Sequence, residues 1–539
     1  MRLQTIARLL IERAEARPED TAYIILDDHG EEAQRLTYAR LLAGAAEVAH
    51  AVARHGAQAR IVIALPTSVE FCLTFYGCLL AGSVAVPIPV PNVHRFEAVL
   101  RIVSGCEASC IVTLPSLLAG LRQALDEAGM AWVNVMTYDA LIAGIAAPYR
   151  MPSANQVALL QYTSGSTAAP KGVIVTHGNI IANEVMIQAA FRHSAATTVV
   201  GWAPLHHDQG LIGNMIQPLF AGCRCVLMAP MTFLRAPHLW LQAISRYAAH
   251  TSGGPNFCYD LCVSRVSDDR CHGLDLSSWQ LAFNGAEPIS ASTLRRFADK
   301  FEPYGFRFES FFLCYGLAEA SLYVSGAHAA ASMRALVDAD DAPVHGGVPH
   351  PDMSLLLRPA SSAAQEQEIC IAGPNVTSGY WGSQGGDLFF EADGKSYLRT
   401  GDTGYLKDGY LYVTGRAKEV LIIRGRNVYP YDIERTVTAT HEAFLPGACA
   451  VIAIGAQENQ EIVAVQEVER TARHALDYDT IAASVRRNVV RQHDVLIKRV
   501  VFAKPGFIPK TTSGKVKRAQ LAIGLPDIAD ANPKIIATA

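Results

Sequence analysis

One ten-residue stretch of the chain has the composition of a polyphosphate cradle. After the apolar run VALLQY come Thr163, Ser164, Gly165, Ser166, Thr167, Ala168, Ala169, Pro170, Lys171 and Gly172, with four hydroxyls, two glycines and one lysine. Glycine lets backbone N–H groups approach phosphate oxygens, hydroxyls donate further hydrogen bonds, and Lys171 adds positive charge. No GxxxxGK[ST] occurs in the chain, so this is not a Walker loop. Taken alone, the stretch reads equally as a Ser/Thr-rich turn. A second cluster, PLHHDQG at 204–210, carries His206 and His207 without HExxH spacing, which speaks against a metal centre and leaves a satisfied core histidine as the plain alternative. The twelve cysteines form no CxxC pair and fit neither a zinc site nor a disulfide framework, so reduced thiols in a cytoplasmic protein are expected.

Several elements must position these residues. The 539 residues are 50% hydrophobic and 18% charged, with Lys+Arg 46 against Asp+Glu 50 and a net charge of -4. That composition excludes a disordered chain and lacks the basic excess that nucleic acid requires. From Thr21 to about Pro230, apolar runs such as IVIAL, CIVTL and CVLMAP alternate with helical patterns, which predicts doubly wound sheets of βαβ units. Phe71–His94 carries no Asp, Glu, Lys or Arg and is long enough to span a bilayer. Gly82-Ser83 and three prolines divide it, however, and predict a buried helix followed by a short strand rather than an integral membrane segment. The N-terminus has no uninterrupted apolar core of a signal peptide. Strand-like runs separated by Gly and Asp turns predict smaller mixed sheets after Gln367, and beyond Gly415 the pattern reads as a compact α/β domain of its own, with a helix over YDIERTVTATHEA and another around Tyr478 to Arg491. The Ala/Asp-biased stretch Ala327 to Ala342 is expected to be a surface insertion.

The run YTSGST..PKG resembles the phosphate loop of the adenylate-forming superfamily of acyl-CoA synthetases, luciferases and peptide-synthetase adenylation domains. Seven further stretches resemble that superfamily's motifs, in its order: PLHHDQG (204–210), NGAEP (284–288), YGLAEA (315–320), GYW (379–381), RTGDTGYL (399–406), GRAKE (415–419) and PKTTSGKVKR (509–518). Within it, GWAPLHHDQGLIGNMIQPLFAG, GGPNFCYDLCV, YGLAEASLYVSG and RGRNVYPYDIE are most similar to the fatty acyl-AMP ligases. The resemblance implies an α/β fold: a large N-terminal domain of doubly wound sheets with a small β-barrel-like subdomain (1–417), then a small mobile C-terminal α+β domain (418–539). It implies ATP-dependent conversion of a fatty acid to acyl-adenylate with pyrophosphate release, followed by transfer to the phosphopantetheine thiol of an acyl carrier protein acting in trans. A fatty acyl-CoA synthetase is the alternative, because the segment 327–344 looks short where these ligases carry an insertion that disfavours CoA. Ala168, where the family has Gly, motivates a third reading, a catalytically weak nucleotide-binding protein.

The resemblance also assigns roles. Thr163, Ser164, Gly165, Ser166, Thr167 and Lys171 would hold the β- and γ-phosphates of ATP, and Glu319 with Thr167 would bind Mg²⁺. Gly285, Ala286 and Glu287 would line the adenine slot, with Tyr315, followed by Gly316, stacking on the base. Asp402 would accept from the ribose hydroxyls beside Arg416, and His207 would sit near the substrate carboxylate. Lys515 would bond carboxylate and α-phosphate during adenylation, with Lys418 as the hinge. Apolar residues around Phe257, Tyr259 and Met215 are expected to line the acyl pocket, although such side chains also occur as plain core.

Overall fold

A computed structural model describes residues 5–93, 96–143, 148–163, 170–330, 344–359, 367–383, 386–417, 421–423, 426–455, 461–510, 516–528 and 535–538. The chain divides into a large compact unit (1–357, 369–400, 406–412) and a small one (358–368, 401–405, 413–539).

The large unit holds two doubly wound sheets. In the nine-stranded sheet, six parallel strands run in the order Phe311–Gly316, Leu281–Asn284, Thr251–Gly254, Thr198–Gly201, Arg224–Leu227, Thr21–Leu26. Antiparallel strands flank them, Tyr323–His328 and then Val348–Pro349 on one side and Glu32–Thr37 on the other. Central strands such as Thr198–Gly201 and Leu281–Asn284 are buried at every residue, as parallel strands covered on both faces must be. One aromatic cluster includes Trp240, Trp279, Tyr259, Phe297 and Phe311, all fully buried. Each such side chain contributes roughly 1.5–3 kcal/mol of apolar burial.

The six-stranded sheet has the order Asn134–Met136, Cys110–Thr113, Arg60–Ala64, Val84–Pro87, Val157–Thr163, Lys171–Thr176. All its pairings are parallel except the last. The apolar stretch from Phe71 resolves here as expected. Ser68 caps a helix, Val69–Ala81, by accepting from the Phe71 N–H, and ten of its residues are buried. Gly82 ends it at φ +67°, a conformation glycine adopts without strain, and Val84–Pro87 then enters the middle of the sheet.

A five-stranded sheet contains Ser354–Pro359, Gln367–Ala372, Phe389–Ala392, Lys395–Lys407 and Tyr410–Arg416. The small unit's own sheet orders Phe444–Ile454, Glu461–Val468, Arg499–Ala503 and Ile535–Thr538. Alternation along Phe444–Ile454 sends Cys449 and Val451 to one apolar cluster and Ala450 and Ile452 to another. Glu434 ties this unit together. It accepts from Arg518 at both carboxylate oxygens, 2.7 and 2.6 Å, and from the Val451 N–H at 2.8 Å. The helix expected through Ala443 stops earlier, at Pro430–Thr438. Its threonines compete with the backbone, since Thr436, Thr438 and Thr440 each donate to the carbonyl four residues back, and Phe444 then starts a strand. Tyr478–His493 is helical, as predicted. Of the expected surface insertion, Ala327 and His328 close the strand Tyr323–His328, and 331–343 lie outside the described residues.

Candidate active site

The hydroxyl-rich stretch joins two antiparallel strands. Val157–Thr163 pairs with Lys171–Thr176, and Thr163 faces Lys171 directly, so the two ends of the loop are fixed by strand register. Ser164, Gly165, Ser166, Thr167 and Ala168 lie outside the described residues. Lys171 is exposed, and its Nζ stands 5.0 Å from the centroid of the Tyr380 ring.

Tyr380 is brought there by backbone pairing. Ile174 donates to the Gly379 carbonyl at 3.0 Å and Trp381 to the Gly172 carbonyl at 2.8 Å, so residues 379–381 extend the sheet beside Lys171–Thr176. The Tyr380 hydroxyl donates to Glu319 Oε1 at 2.7 Å. Glu319 sits in the tight turn Ala318–Ala320, fastened by the Thr377 N–H on its carbonyl at 2.8 Å. Sequence reasoning noted GYW as a motif but gave Tyr380 no role; a contact spanning 61 residues has no local signature.

Six further predicted residues of the large unit, Gly285, Ala286, Glu287, Tyr315, Gly316 and His207, lie at or beyond the carboxyl ends of parallel strands, where open α/β sheets bind ligands. Gly285, Ala286 and Glu287 follow Leu281–Asn284, and Tyr315 and Gly316 end the neighbouring Phe311–Gly316. A Cβ at Gly285 would lie 2.7 Å from the Cys314 carbonyl oxygen, and one at Gly316 1.9 Å from that of Leu322. Ala286 adopts φ +70°, a left-handed conformation costly for a residue with a side chain. Glu287 Oε1 accepts from the Phe257 N–H at 3.1 Å. Asn256, which sequence reasoning missed, clamps this turn. Its Oδ1 accepts from Asn284 Nδ2 and the Ser290 N–H, and its Nδ2 donates to the Pro288 carbonyl. Tyr315 is half-buried and pairs across the strands with Ser325.

His207 follows Thr198–Gly201 and precedes a π-helix, Gln209–Ile216. Asp208 caps that helix by accepting from the Gln209 N–H at 2.8 Å, and its Oδ1 lies 3.2 Å from His207 Nδ1. The adjoining His206 accepts at its carbonyl from Gln161 Nε2, 2.7 Å, and burial depresses its imidazole to about 3, keeping it neutral. Of the three residues proposed to line an acyl pocket, Phe257 is half-buried against Trp202. Tyr259 is core instead: it is fully buried, packs on Trp279 and Phe297, and donates to the Phe283 carbonyl at 2.7 Å. Met215 is also fully buried, its carbonyl accepting from Tyr23 at 2.8 Å.

In the small unit, Arg416 Nε donates to Asp402 Oδ1 at 2.9 Å; Asp402 is buried and Arg416 half-exposed. The Ala417 N–H donates to the Gly401 carbonyl at 3.0 Å and holds the two motifs together. Lys418 and Lys515 lie outside the described residues. The stretch bearing Lys515 is bracketed by a bridge between Lys510 and Val516 and by the Lys517 N–H on the Pro509 carbonyl, 2.8 Å. Among the described residues, no group of three or more His, Cys, Asp or Glu could hold a metal ion, and no helix is long and apolar enough to cross a membrane.

Motifs standing at the carboxyl ends of strands in a doubly wound fold mark a ligand site there. Residues 10–381 match the family described as AMP-binding enzyme, and 418–523 match one described as Disco-interacting protein 2-like, AMP domain. A medium-chain-fatty-acid–[acyl-carrier-protein] ligase of Moorena producens is 34% identical over 96% of this chain and 94% of its own. A long-chain-fatty-acid–AMP ligase of Mycobacterium marinum is 33% identical over 96% of each. A solved fatty acyl-adenylate ligase of L. pneumophila, in complex with acyl adenylate and pyrophosphate, is 30% identical with a TM-score of 0.71, over 100% of this chain and 98% of that one. The chain belongs to the AMP-binding enzymes and, among them, to the fatty acyl-AMP ligases.

Proposed function

We propose that the protein activates a fatty acid with ATP to acyl-adenylate, releasing pyrophosphate, and passes the acyl group to the phosphopantetheine thiol of an acyl carrier protein. The observation that carries this reading is the joint contact, in one unit, of the exposed Lys171 cation and the Glu319 carboxylate with Tyr380, at the base of the hydroxyl-rich hairpin. The named ligases of Moorena and Mycobacterium support the substrate and the acceptor.

A fatty acid carboxyl has a pKa near that of Glu, about 4.3, so it is already an anion at neutral pH and needs no general base. One carboxylate oxygen attacks the α-phosphorus, and the bond to pyrophosphate breaks. The site's task is to hold anions together. Thr163, Ser164, Gly165, Ser166, Thr167 and Lys171 take the β- and γ-phosphates. Gly285, Ala286, Glu287, Tyr315 and Gly316 form the adenine slot. Asp402, oriented by Arg416, accepts from the ribose, and His207 faces the fatty carboxylate. Residues 418–539 supply Lys515, which stabilises charge that develops in the transition state, and turn about Lys418 between the half-reactions.

Glu319 fits a hard dication. Tyr380 occupies Oε1, and Oε2 has no partner among the described residues. With Thr167 it would hold Mg²⁺, which supplies charge neutralisation for the phosphates; a site with so few protein ligands suits an ion that arrives on its nucleotide. All twelve cysteines are free, which supports a reducing cytoplasm as the place of action.

The test is to incubate the protein with ATP, Mg²⁺ and a panel of fatty acids, offering CoA and a holo acyl carrier protein in separate tubes, and to identify products by mass spectrometry. Acyl-AMP with transfer to the carrier alone is expected. Acyl-CoA would reassign the acceptor, and no adenylate from any acid would overturn the reading.

A further inference from the structure

Tyr380 touches two opposite charges that the proposed chemistry needs apart, one through its ring face and one through its hydroxyl. On one side its ring face meets Lys171 Nζ at 5.0 Å; on the other its hydroxyl donates to Glu319 Oε1 at 2.7 Å. Lys171 makes no ion pair with a described carboxylate, although Glu319 is joined to the same side chain. An ammonium and a carboxylate on facing elements would otherwise attract each other, and a direct pair would neutralise both.

The ring's placement is over-determined. Gly379 and Trp381 are hydrogen-bonded to the Lys171–Thr176 strand, Thr377 bonds both the Ile174 carbonyl through its hydroxyl and the Glu319 carbonyl through its N–H, and Asn375 Nδ2 donates to the Ala320 and Tyr323 carbonyls. Residues 375–381 therefore stitch the turn of Glu319 to the strand of Lys171, with Tyr380 at the seam. An O–H bond to a carboxylate is charge-assisted and fixes its direction, while the ring face attracts a cation without neutralising it.

We infer that Tyr380 is a positioning residue that keeps Lys171 and Glu319 from pairing, aims Glu319 at the metal that accompanies ATP, and holds Lys171 ready for phosphate. This rests on the adenylation reading above. The two halves of the side chain then have separable effects. Tyr380→Phe keeps the ring face beside Lys171 and releases Glu319. Tyr380→Leu removes the ring face as well and lets Lys171 and Glu319 meet.

Calorimetric titration of ATP, with Mg²⁺ and with EDTA, separates these effects on the full chain without relying on turnover, and thermal melting checks that each variant is folded. Tyr380→Phe should bind ATP about tenfold more weakly with Mg²⁺ and within about twofold of the unaltered protein in EDTA. Tyr380→Leu should be weaker in both conditions. Tyr380→Phe binding within about twofold of the unaltered protein with Mg²⁺ would overturn the inference while leaving the adenylation reading intact, as would an equal loss with and without metal, which a merely structural role produces. An unaltered protein that binds no ATP under either condition would overturn both. Because Phe is nearly isosteric with Tyr, its result decides even if the Leu variant fails to fold.

Discussion

The NGAEP turn of the large unit and the Asp402 corner of the small unit hold their candidate residues by opposite means. At the turn, backbone occupies the space a side chain would need: Gly285 and Gly316 each face a carbonyl oxygen at 2.7 and 1.9 Å from where a Cβ would stand. At the corner, a buried carboxylate meets a half-exposed guanidinium at 2.9 Å, and the backbone nearby is open, with nothing within 4 Å of a Cβ at Gly401. Steric placement fails abruptly, because packed backbone yields little. Charge placement fails by degrees, since a polar isostere keeps shape while losing attraction.

The sharpest break between the units should come from Lys515→Ala. If the small unit acts through transition-state charge, adenylate formation falls about 100- to 1000-fold while ATP affinity, measured by calorimetry, is retained. Adenylation at the unaltered rate would remove Lys515 from the mechanism. Next in size is Gly316→Ala, expected to cost about 3 kcal/mol of stability by urea unfolding, because the clash is with backbone. Acid probes the large unit through His177 and His193, whose imidazoles burial depresses to about 4 and about 3. Their folded-state values lie below the unfolded value of about 6.5, so the unfolded chain binds more protons in between. Their stabilisation is complete above pH 6.5 and is lost as pH falls, by about 1 kcal/mol each between pH 6.5 and 5.5; melts at the two pH values that coincide would refute this. Asp402→Asn should weaken ATP binding about tenfold with unchanged melting, the graded response that the corner predicts. The smallest effect belongs to Ala168→Gly: ATP affinity within about twofold of the unaltered protein, or tighter, with a severe loss showing that the loop is built differently from its relatives'.

Much of this arrangement was legible in the amino-acid order, because the information was local. Ser68 and Gly82 bound a helix by capping and left-handed backbone, and the glycines of NGAEP and YGLAEA stand at strand ends where a side chain has no room. What stayed hidden depends on partners far along the chain. Tyr259 and Phe257 are two residues apart in one helix and so on nearly opposite faces, and with an aromatic on each face the sequence does not say which is core and which half-buried. The Tyr380–Glu319 bond and the Asn256 clamp likewise arise only when strands distant in sequence become neighbours. The discontinuous small unit, which recruits 358–368 and 401–405, has the same origin.

The π-helix Gln209–Ile216 carries a consequence for how this family member could be remodelled. A π-turn is an α-helix holding surplus length, and it is bordered downstream by the regular helix Gln217–Ala221. Removing one residue within it would let the segment relax to α geometry and turn everything before it by about 100° relative to everything after. His207 would swing away from its station while Gln217 kept its seat. The surplus residue thus acts as a phase adjustment between His207 and the helix behind it, and a one-residue deletion, rather than any substitution, is the change that would expose it.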